Sequence, residues 1–217
     1  GLRAASSIAS ALGHYRHADR YKEAYSSMKN AILTHLYDEE STCFLKKIRR
    51  EGGITSERDT TPDASIATLW MFGLLPPDDP RMVSTIHRLQ EALAVRTPVG
   101  GYARYSNDYY QSVTPPTAEV PGNPWIITTL WFAEWQIATA SKIEDLEKPR
   151  ALLQWVCDHA SVAGMLPEQL HPFTGAPLSV SPLTWSHAAY IDTVMRYGER
   201  HAELKLPHSS SGGKACW

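Results

Sequence analysis

A single carboxylate, that of Glu168, lies in a loop that prolines and glycines restrict on both sides. The loop reads GMLPEQLHPFTG over residues 164–175, so that Pro167 precedes the carboxylate and Gln169 follows it. A carboxylate held in place can act as a general base that activates a water molecule. Considered alone, a loop carboxylate exposed to solvent is the more frequent explanation.

A second loop concentrates aromatic and charged residues. In GGYARYSNDYY, residues 100–110, four tyrosines surround Arg104 and Asp108. A pyranose offers C–H faces that stack on aromatic rings and hydroxyl groups that bond to Arg and Asp, so this composition is typical of a sugar site. The alternative is a surface salt bridge between Arg104 and Asp108, with the tyrosines covering the core.

A third motif, GNPW over residues 122–125, leads directly into an apolar segment. A tryptophan in the first turn of a helix faces whatever lies above the helix end, so Trp125 is a candidate to line a binding site. Packing beside the proline is the alternative, and it is the more common role of such a tryptophan.

The elements that must position these loops are helices. Apolar residues recur three and four positions apart along most of the chain, and glycine or proline ends each such segment. The predicted helices cover residues 2–12, 18–36, 64–72, 79–95, 124–140, 143–160 and 183–200. A short hairpin arm around Phe44–Ile48 is the one extended segment expected before the Gly52–Gly53 turn, and residues 206–217 are predicted to form a mobile tail.

The segment from residue 124 to residue 140 is apolar on almost every side, which predicts a helix surrounded by protein. The segment over 143–160 alternates apolar and charged residues and is expected to be an outer helix. Stacked helical hairpins would show a recurring repeat, which the sequence lacks. An all-α toroid of alternating inner and outer helices is therefore favoured.

The composition of the chain limits the classes of molecule that it is expected to bind. The 217 residues carry 21 Lys+Arg against 23 Asp+Glu, a net charge of −2, which argues against nucleic acid and anionic membranes. Three cysteines without a CxxC motif and nine histidines without ligand spacing predict no metal and no cofactor. The first residues lack the apolar core of a secretion signal, which slightly favours a cytoplasmic location.

The runs GGYARYSNDYY, GNPWIITTLWFAEW and GMLPEQLHPFTGAPLSVSPLTWSHAAYIDTVMRY occur in this order. Together they resemble the C-terminal half of the catalytic domain of family 15 glycoside hydrolases, which include glucoamylases, glucodextranases and some trehalases. The resemblance implies an (α/α)6 barrel and hydrolysis with inversion. It also implies that Glu168 is the general base and that Arg104 and Trp125 line the glucose site. Asp108, in the same loop as Arg104, is a further predicted substrate-binding residue.

The resemblance places the general acid of such enzymes upstream of Leu2. Residues 1–205 are therefore expected to form about half of the barrel, with the remainder of the catalytic domain as their partner. By itself this half is expected to be inactive, and to associate through its uncovered apolar faces. The stretch Ser112–Val120, which connects the tyrosine-rich loop to the GNPW motif, is longer than the corresponding segment of some family members.

Three functions follow from these residues. The first is an inverting, exo-acting α-glucoside hydrolase that releases β-glucose from α-glucans or related α-glucosides. The second is a catalytically incomplete helical scaffold that binds carbohydrate or a protein. The third is a trehalase or glucodextranase on the same framework, because the residues that select the linkage lie largely outside these motifs.

Overall fold

The computed structural model describes residues 1–206, and its backbone contacts group the chain into two units. The first unit is Gly1–Arg88, and the second begins at Leu89. Within the described residues, no helix combines the length and apolarity needed to cross a membrane. Apart from Leu206, which follows the last helix, the predicted mobile tail lies outside the described residues.

Two packed helices open the first unit. Helix α1 (Leu2–Ala11) and helix α2 (Tyr15–His35) are separated by Gly13, whose φ of 77° reverses the chain. The helix boundaries predicted from periodicity are confirmed to within three residues. The Ser6 hydroxyl donates to the Ala18 carbonyl at 2.9 Å and connects the two helices.

Short antiparallel strands follow these helices. Strands β1 (Tyr37–Asp38) and β2 (Cys43–Phe44) form one pair, and strands β3 (Lys47–Glu51) and β4 (Ile54–Asp59) form a hairpin around the two glycines. The predicted arm is thus confirmed. Its partner β4 is mostly exposed and carries no alternation of apolar residues, which explains why the sequence did not predict it.

The next two elements begin at aspartates. Asp63 caps a 3-10 helix (Ala64–Leu69) by accepting from the Ser65 amide at 3.0 Å. Asp79 accepts from the Arg81 amide at 3.0 Å at the start of helix α3 (Pro80–Leu93), which runs across the boundary between the units. Both helices were predicted, although the first is a 3-10 helix rather than an α-helix.

Helix α4 (Ile126–Thr139) is the centre of the second unit. Ten of its 14 residues are buried, which confirms the inner helix predicted from its apolar sequence. It packs against helix α5 (Glu147–Asp158), which follows a 3-10 turn (Ile143–Leu146), and against helix α6 (Thr184–Lys205). Helix α5 buries one face only and is the predicted outer helix.

The core of this unit also fixes the loops that carry the motifs. It combines residues from α4 and α5 with residues from the two loops, namely Val99, Ile126, Leu130, Leu153, Val156, Leu166 and Leu170. Val99 precedes the tyrosine-rich loop, and Leu166 and Leu170 stand on either side of Glu168. Burial of these side chains therefore holds both loops against the first turns of α4.

A buried carboxylate interrupts the apolar packing between α4 and α6. Glu134 accepts a hydrogen bond from the Thr193 hydroxyl at 3.1 Å, and Arg196 lies 3.8 Å from its other oxygen. Burial raises the pKa of Glu134 above its ordinary value of 4.5, although the charge of Arg196 opposes the shift. The folded protein therefore holds this proton to higher pH than the unfolded chain does.

We predict a pH-dependent stability difference between the wild type and Glu134→Gln. As pH rises from the ordinary value of 4.5 through the raised pKa, the wild type loses stability because the charged form is disfavoured in the fold. The glutamine side chain cannot ionise, so the variant should lack this loss. Urea unfolding across the acidic range checks it, and parallel stability curves for the two proteins would contradict it.

Gly101 has both a left-handed backbone and no room for a side chain. Its φ is 80°, and a Cβ would lie 2.6 Å from the Trp155 ring and 2.9 Å from Pro124. Gly164 has a similar φ of 75° but open space around it. Alanine substitutions at the two positions can therefore distinguish the cost of backbone strain from the cost of a steric clash with neighbouring side chains.

Gly164→Ala should destabilise the protein by about 1 to 2 kcal/mol, the cost of a left-handed backbone. Gly101→Ala should cost about 1 to 3 kcal/mol more, because the methyl group also displaces the Trp155 ring. Urea unfolding measures both. Equal losses in the two variants would show that the contact between Gly101 and Trp155 does not constrain the loop.

Candidate active site

Backbone pairing brings the three motifs together at the start of α4. Ala103 pairs with Pro124, and Trp125 pairs with Gln169, both antiparallel. The Trp125 amide donates to the Tyr102 carbonyl at 2.9 Å, and the Leu170 amide donates to the Pro124 carbonyl at 2.9 Å. The GNPW motif is thus the middle of three adjacent segments, with the tyrosine-rich loop on one side and the Glu168 loop on the other.

A glycine allows the close approach of two of these segments. A Cβ at Gly122 would lie 2.9 Å from the Cβ of Asp108 and 3.4 Å from that of Ala103. The glycine of GNPW is therefore required by packing against the neighbouring loop. The next residue of the same segment, Asn123, is 3% exposed.

Arg104 and Asp108 form a bidentate ion pair. The Arg104 Nε donates to Oδ2 of Asp108 at 3.0 Å, and Nη2 donates to Oδ1 at 2.9 Å. The Tyr110 amide also donates to Oδ1, at 3.0 Å. Asp108 is only 1% exposed, whereas a third of the Arg104 side chain is exposed, so the pair is more than the surface salt bridge considered as the alternative. A direct contact of Asp108 with substrate stays a prediction.

Aromatic rings surround the Arg104 guanidinium. Its central carbon lies 4.5 Å from the Trp125 ring centroid, 4.8 Å from that of Tyr105 and 5.3 Å from that of Tyr110. Contacts of this kind hold a cation over the ring faces. The structure therefore brings the predicted residues Arg104 and Trp125 into direct contact.

The indole of Trp125 has an unsatisfied donor. Trp125 is 4% exposed, and its Nε1 has no hydrogen-bond partner among residues 1–206. A buried donor without an acceptor costs free energy.

Glu168 is half-buried and its backbone is fixed on both sides. Its amide donates to the Val180 carbonyl at 2.8 Å, and its carbonyl accepts from the amide of Ile126, the first residue of α4, at 3.3 Å. Its Oε2 accepts from Nε2 of Gln169 at 3.2 Å. Glu168 is therefore held at the start of the inner helix, beside Trp125.

Helix α6 supports the loop that carries Glu168. The Ser186 hydroxyl donates to the Pro167 carbonyl at 2.8 Å, and Nε2 of His187 accepts from the Leu166 amide at 3.1 Å. Sequence reasoning overlooked Asn123 and Gln169. Their side-chain amides stand next to Trp125 and Glu168 in motifs already singled out, and that position in the sequence was the available signal.

A cavity of about 330 Å³ lies elsewhere in the second unit, at the end of α5. Its lining includes Asp158, His159, Ser161 and Thr174, and it includes none of the predicted site residues. The candidate site is therefore defined by its side chains and not by this cavity.

Comparison with known proteins identifies the family. The family model described as Glycosyl hydrolases family 15 matches residues 1–149 and 137–195. The chain belongs to this family. An uncharacterized glycosyl hydrolase of Methanocaldococcus jannaschii is 31% identical over 201 residues, which cover 88% of this chain and 30% of that protein. A glucoamylase of a Clostridium species is 26% identical over 232 residues, which cover 95% of this chain and 32% of that protein.

A solved glucoamylase structure shows the fold. A bacterial glucoamylase complexed with acarbose superposes with a TM-score of 0.72 at 22% identity, covering 95% of this chain and 34% of that one. The predicted all-α fold, part of an α/α toroid, is confirmed, and the solenoid alternative is wrong. The chain spans about a third of the length of the curated relatives it matches.

The Arg104–Asp108 pair yields a test by double substitution. Arg104→Ala leaves the Asp108 carboxylate buried without its ion partner and should destabilise the protein by about 3 to 5 kcal/mol. Adding Asp108→Asn removes the buried charge, so Arg104→Ala/Asp108→Asn should be more stable than Arg104→Ala alone. Urea unfolding of the two single variants and the double variant measures the coupling. A double variant that loses the sum of both single losses would contradict the pair.

Proposed function

We propose that the chain supplies the general base and part of the glucose site of an inverting, exo-acting α-glucoside hydrolase. The observation that carries this proposal is the pairing of Ala103 with Pro124 and of Trp125 with Gln169, which brings Arg104, Trp125 and Glu168 together. Membership of glycosyl hydrolase family 15 supports it. The general acid belongs to the remainder of the catalytic domain.

Arg104 is the main polar contact in the proposed glucose site. Asp108, the Tyr105 hydroxyl and the aromatic rings fix its guanidinium, and its Nη1 group is the donor that would bind sugar hydroxyl groups. Asp108 holds Arg104 in place, and its own contact with substrate is a separate prediction. Tyr109, which is 81% exposed, offers a ring face.

Glu168 activates the water molecule. As the water oxygen bonds to the anomeric carbon, the carboxylate takes its proton, and the bond to the leaving oxygen breaks while the general acid protonates that oxygen. Attack from the face opposite the leaving group converts an α-glucoside into β-glucose. A carboxylate on a fixed backbone suits this step because the water must be held in line.

Substitution of Glu168 tests the proposal in the intact protein. Glu168→Gln should lower kcat by roughly 10² to 10⁴-fold, because the amide cannot accept the proton. Glucose affinity should change little, because the amide keeps the shape of the side chain. Glu119→Gln, the same change at an exposed loop position, is the matched control and should leave kcat unchanged. Near-normal turnover of Glu168→Gln would remove Glu168 from the mechanism.

The product and the substrate panel separate the alternatives. Proton NMR of hydrolysed maltose, isomaltose and trehalose should show β-glucose as the first product, and the fastest substrate identifies the linkage. α-Glucose as the first product would contradict inversion. Saturable sugar binding without turnover by the intact protein would instead support the carbohydrate-binding scaffold.

A further inference from the structure

The cavity of about 330 Å³ lies between the end of α5 and the turn that follows the Glu168 loop. One wall is formed by residues 158–161, and the other by Thr174, Gly175 and Pro177. No residue of the proposed glucose site lines it. Small-molecule sites occupy about 300 to 1,000 Å³, so this cavity is large enough to hold a small ligand.

The second wall of the cavity is a tight turn of defined shape. The His171 amide donates to the Ala176 carbonyl at 2.8 Å, and the Gly175 amide donates to the His171 carbonyl at 2.9 Å. Gly175 has a φ of 71°, and a Cβ there would lie 3.1 Å from the His159 ring. The turn thus approaches the imidazole closely. Because both walls are already ordered, a ligand would pay little of the entropic cost of arranging them.

The first wall keeps two acceptors without a partner. Nδ1 of His159 lies 2.8 Å from the Trp155 carbonyl, which can only accept, so Nδ1 carries the proton. In the neutral ring Nε2 is then an acceptor, and it forms no hydrogen bond within residues 1–206. Asp158 accepts from the Gln154 amide at 2.8 Å through Oδ1, and its Oδ2 forms no hydrogen bond with the described residues. Both residues can therefore accept hydrogen bonds from a ligand.

Two hydroxyl groups of the lining are donors. The Ser161 Oγ accepts from the Met165 amide at 3.0 Å, and the Thr174 Oγ1 accepts from the Ala176 amide at 3.3 Å. Neither hydroxyl donates to an acceptor among residues 1–206, so each hydrogen is left for a ligand. The lining therefore combines donors with acceptors, and neither Lys nor Arg is among its residues.

This combination suits a neutral ligand rich in hydroxyl groups, because a hydroxyl group both donates and accepts. The Asp158 carboxylate would repel an anion. A metal ion is disfavoured, because the described residues contain no group of three His, Cys, Asp or Glu side chains that could hold one. Phe173, next to Thr174, has a ring that is 54% exposed, on which the C–H face of a sugar can stack. A sugar therefore fits the cavity better than an ion does.

The cavity and the proposed glucose site share one loop. Strands β5 (Gln169–Leu170) and β6 (Pro177–Leu178) pair antiparallel immediately after Glu168, and the turn that lines the cavity joins them. The Thr97 hydroxyl donates to the Pro172 carbonyl and connects this turn to the segment before the tyrosine-rich loop. Both sites therefore lie near the start of α4 and the end of α5.

We propose that this cavity is a second sugar-binding site, which holds one part of an α-glucan chain near the glucose site. That the sugar is an α-glucan rests on the proposed function. A chain bound in the cavity has its other segments at a raised local concentration beside the glucose site. A disaccharide in the glucose site has no further segment to bind in the cavity. The second site therefore lowers KM for long chains and leaves KM for disaccharides unchanged.

Binding of α-cyclodextrin to the intact protein tests the second site alone. This ring of α-linked glucose units has no chain end, which an exo-acting site requires. Phe173→Ala should weaken the binding by about 3 to 10-fold, because the stacking face is lost. Thr174→Val should weaken it by a similar factor, because a hydroxyl donor is lost. Isothermal titration calorimetry measures both, and Phe72→Ala, the same change at an exposed ring of the first unit, is the matched control.

Kinetics on long and short substrates provide a second readout. Phe173→Ala and Thr174→Val should raise KM for amylopectin by about 3 to 10-fold. Their kcat, and their KM for the fastest disaccharide, should stay within about twofold of the wild type, because neither side chain belongs to the glucose site. Both side chains are exposed, so both variants should fold, and melting temperatures check this.

Two outcomes would overturn the inference: no binding of α-cyclodextrin by the wild type, or equal affinity in the wild type and both cavity variants. Glu168→Gln separates this failure from that of the proposed function. If Glu168→Gln loses turnover and the wild type does not bind α-cyclodextrin, only the second site is wrong. If Glu168→Gln keeps turnover and Phe173→Ala weakens α-cyclodextrin binding, only the assignment of the base is wrong.

Discussion

The backbone pairing of residues 123–125 is the interaction on which the site depends. This segment bonds to the tyrosine-rich loop on one side and to the Glu168 loop on the other, immediately before α4 begins. Helix α4 is buried along most of its length, so it cannot shift without opening the core. The three segments therefore pack against a fixed support. Side chains from residues far apart in sequence thereby keep a common geometry, as catalysis by positioned groups requires.

Three carboxylates of the second unit show how environment assigns different roles to one chemical group. Asp108 is buried and saturated by Arg104 and a backbone amide, so it serves as a fixed anchor. Glu134 is buried between helices, and burial raises its pKa. Glu168 forms no ion pair with any residue of the described part of the chain and remains half-buried, with a single amide donor on its Oε2. Of the three, it alone is only partly buried.

The sequence predicts the helices well because periodicity and glycine or proline boundaries are local signals. Helix α4 follows from its apolar composition, and the resemblance to family 15 singles out Glu168, Arg104 and Trp125. The bond between Asn123 and Gln169 joins residues 46 positions apart, and no spacing rule predicts such a contact. The burial of Asp108 escapes prediction for the same reason, since it results from the tertiary approach of Gly122. What is missing from the sequence pattern is thus the long-range geometry that makes the site rigid.

A crystal structure of the intact protein with bound glucose tests the central claim most directly. The account predicts that the sugar hydroxyl groups accept hydrogen bonds from Arg104 and that the anomeric carbon faces Glu168, with a water molecule between them. It also predicts that Asp108 remains paired with Arg104. Glucose bound only away from Arg104 and Glu168, for instance only in the cavity beside His159, would contradict the account.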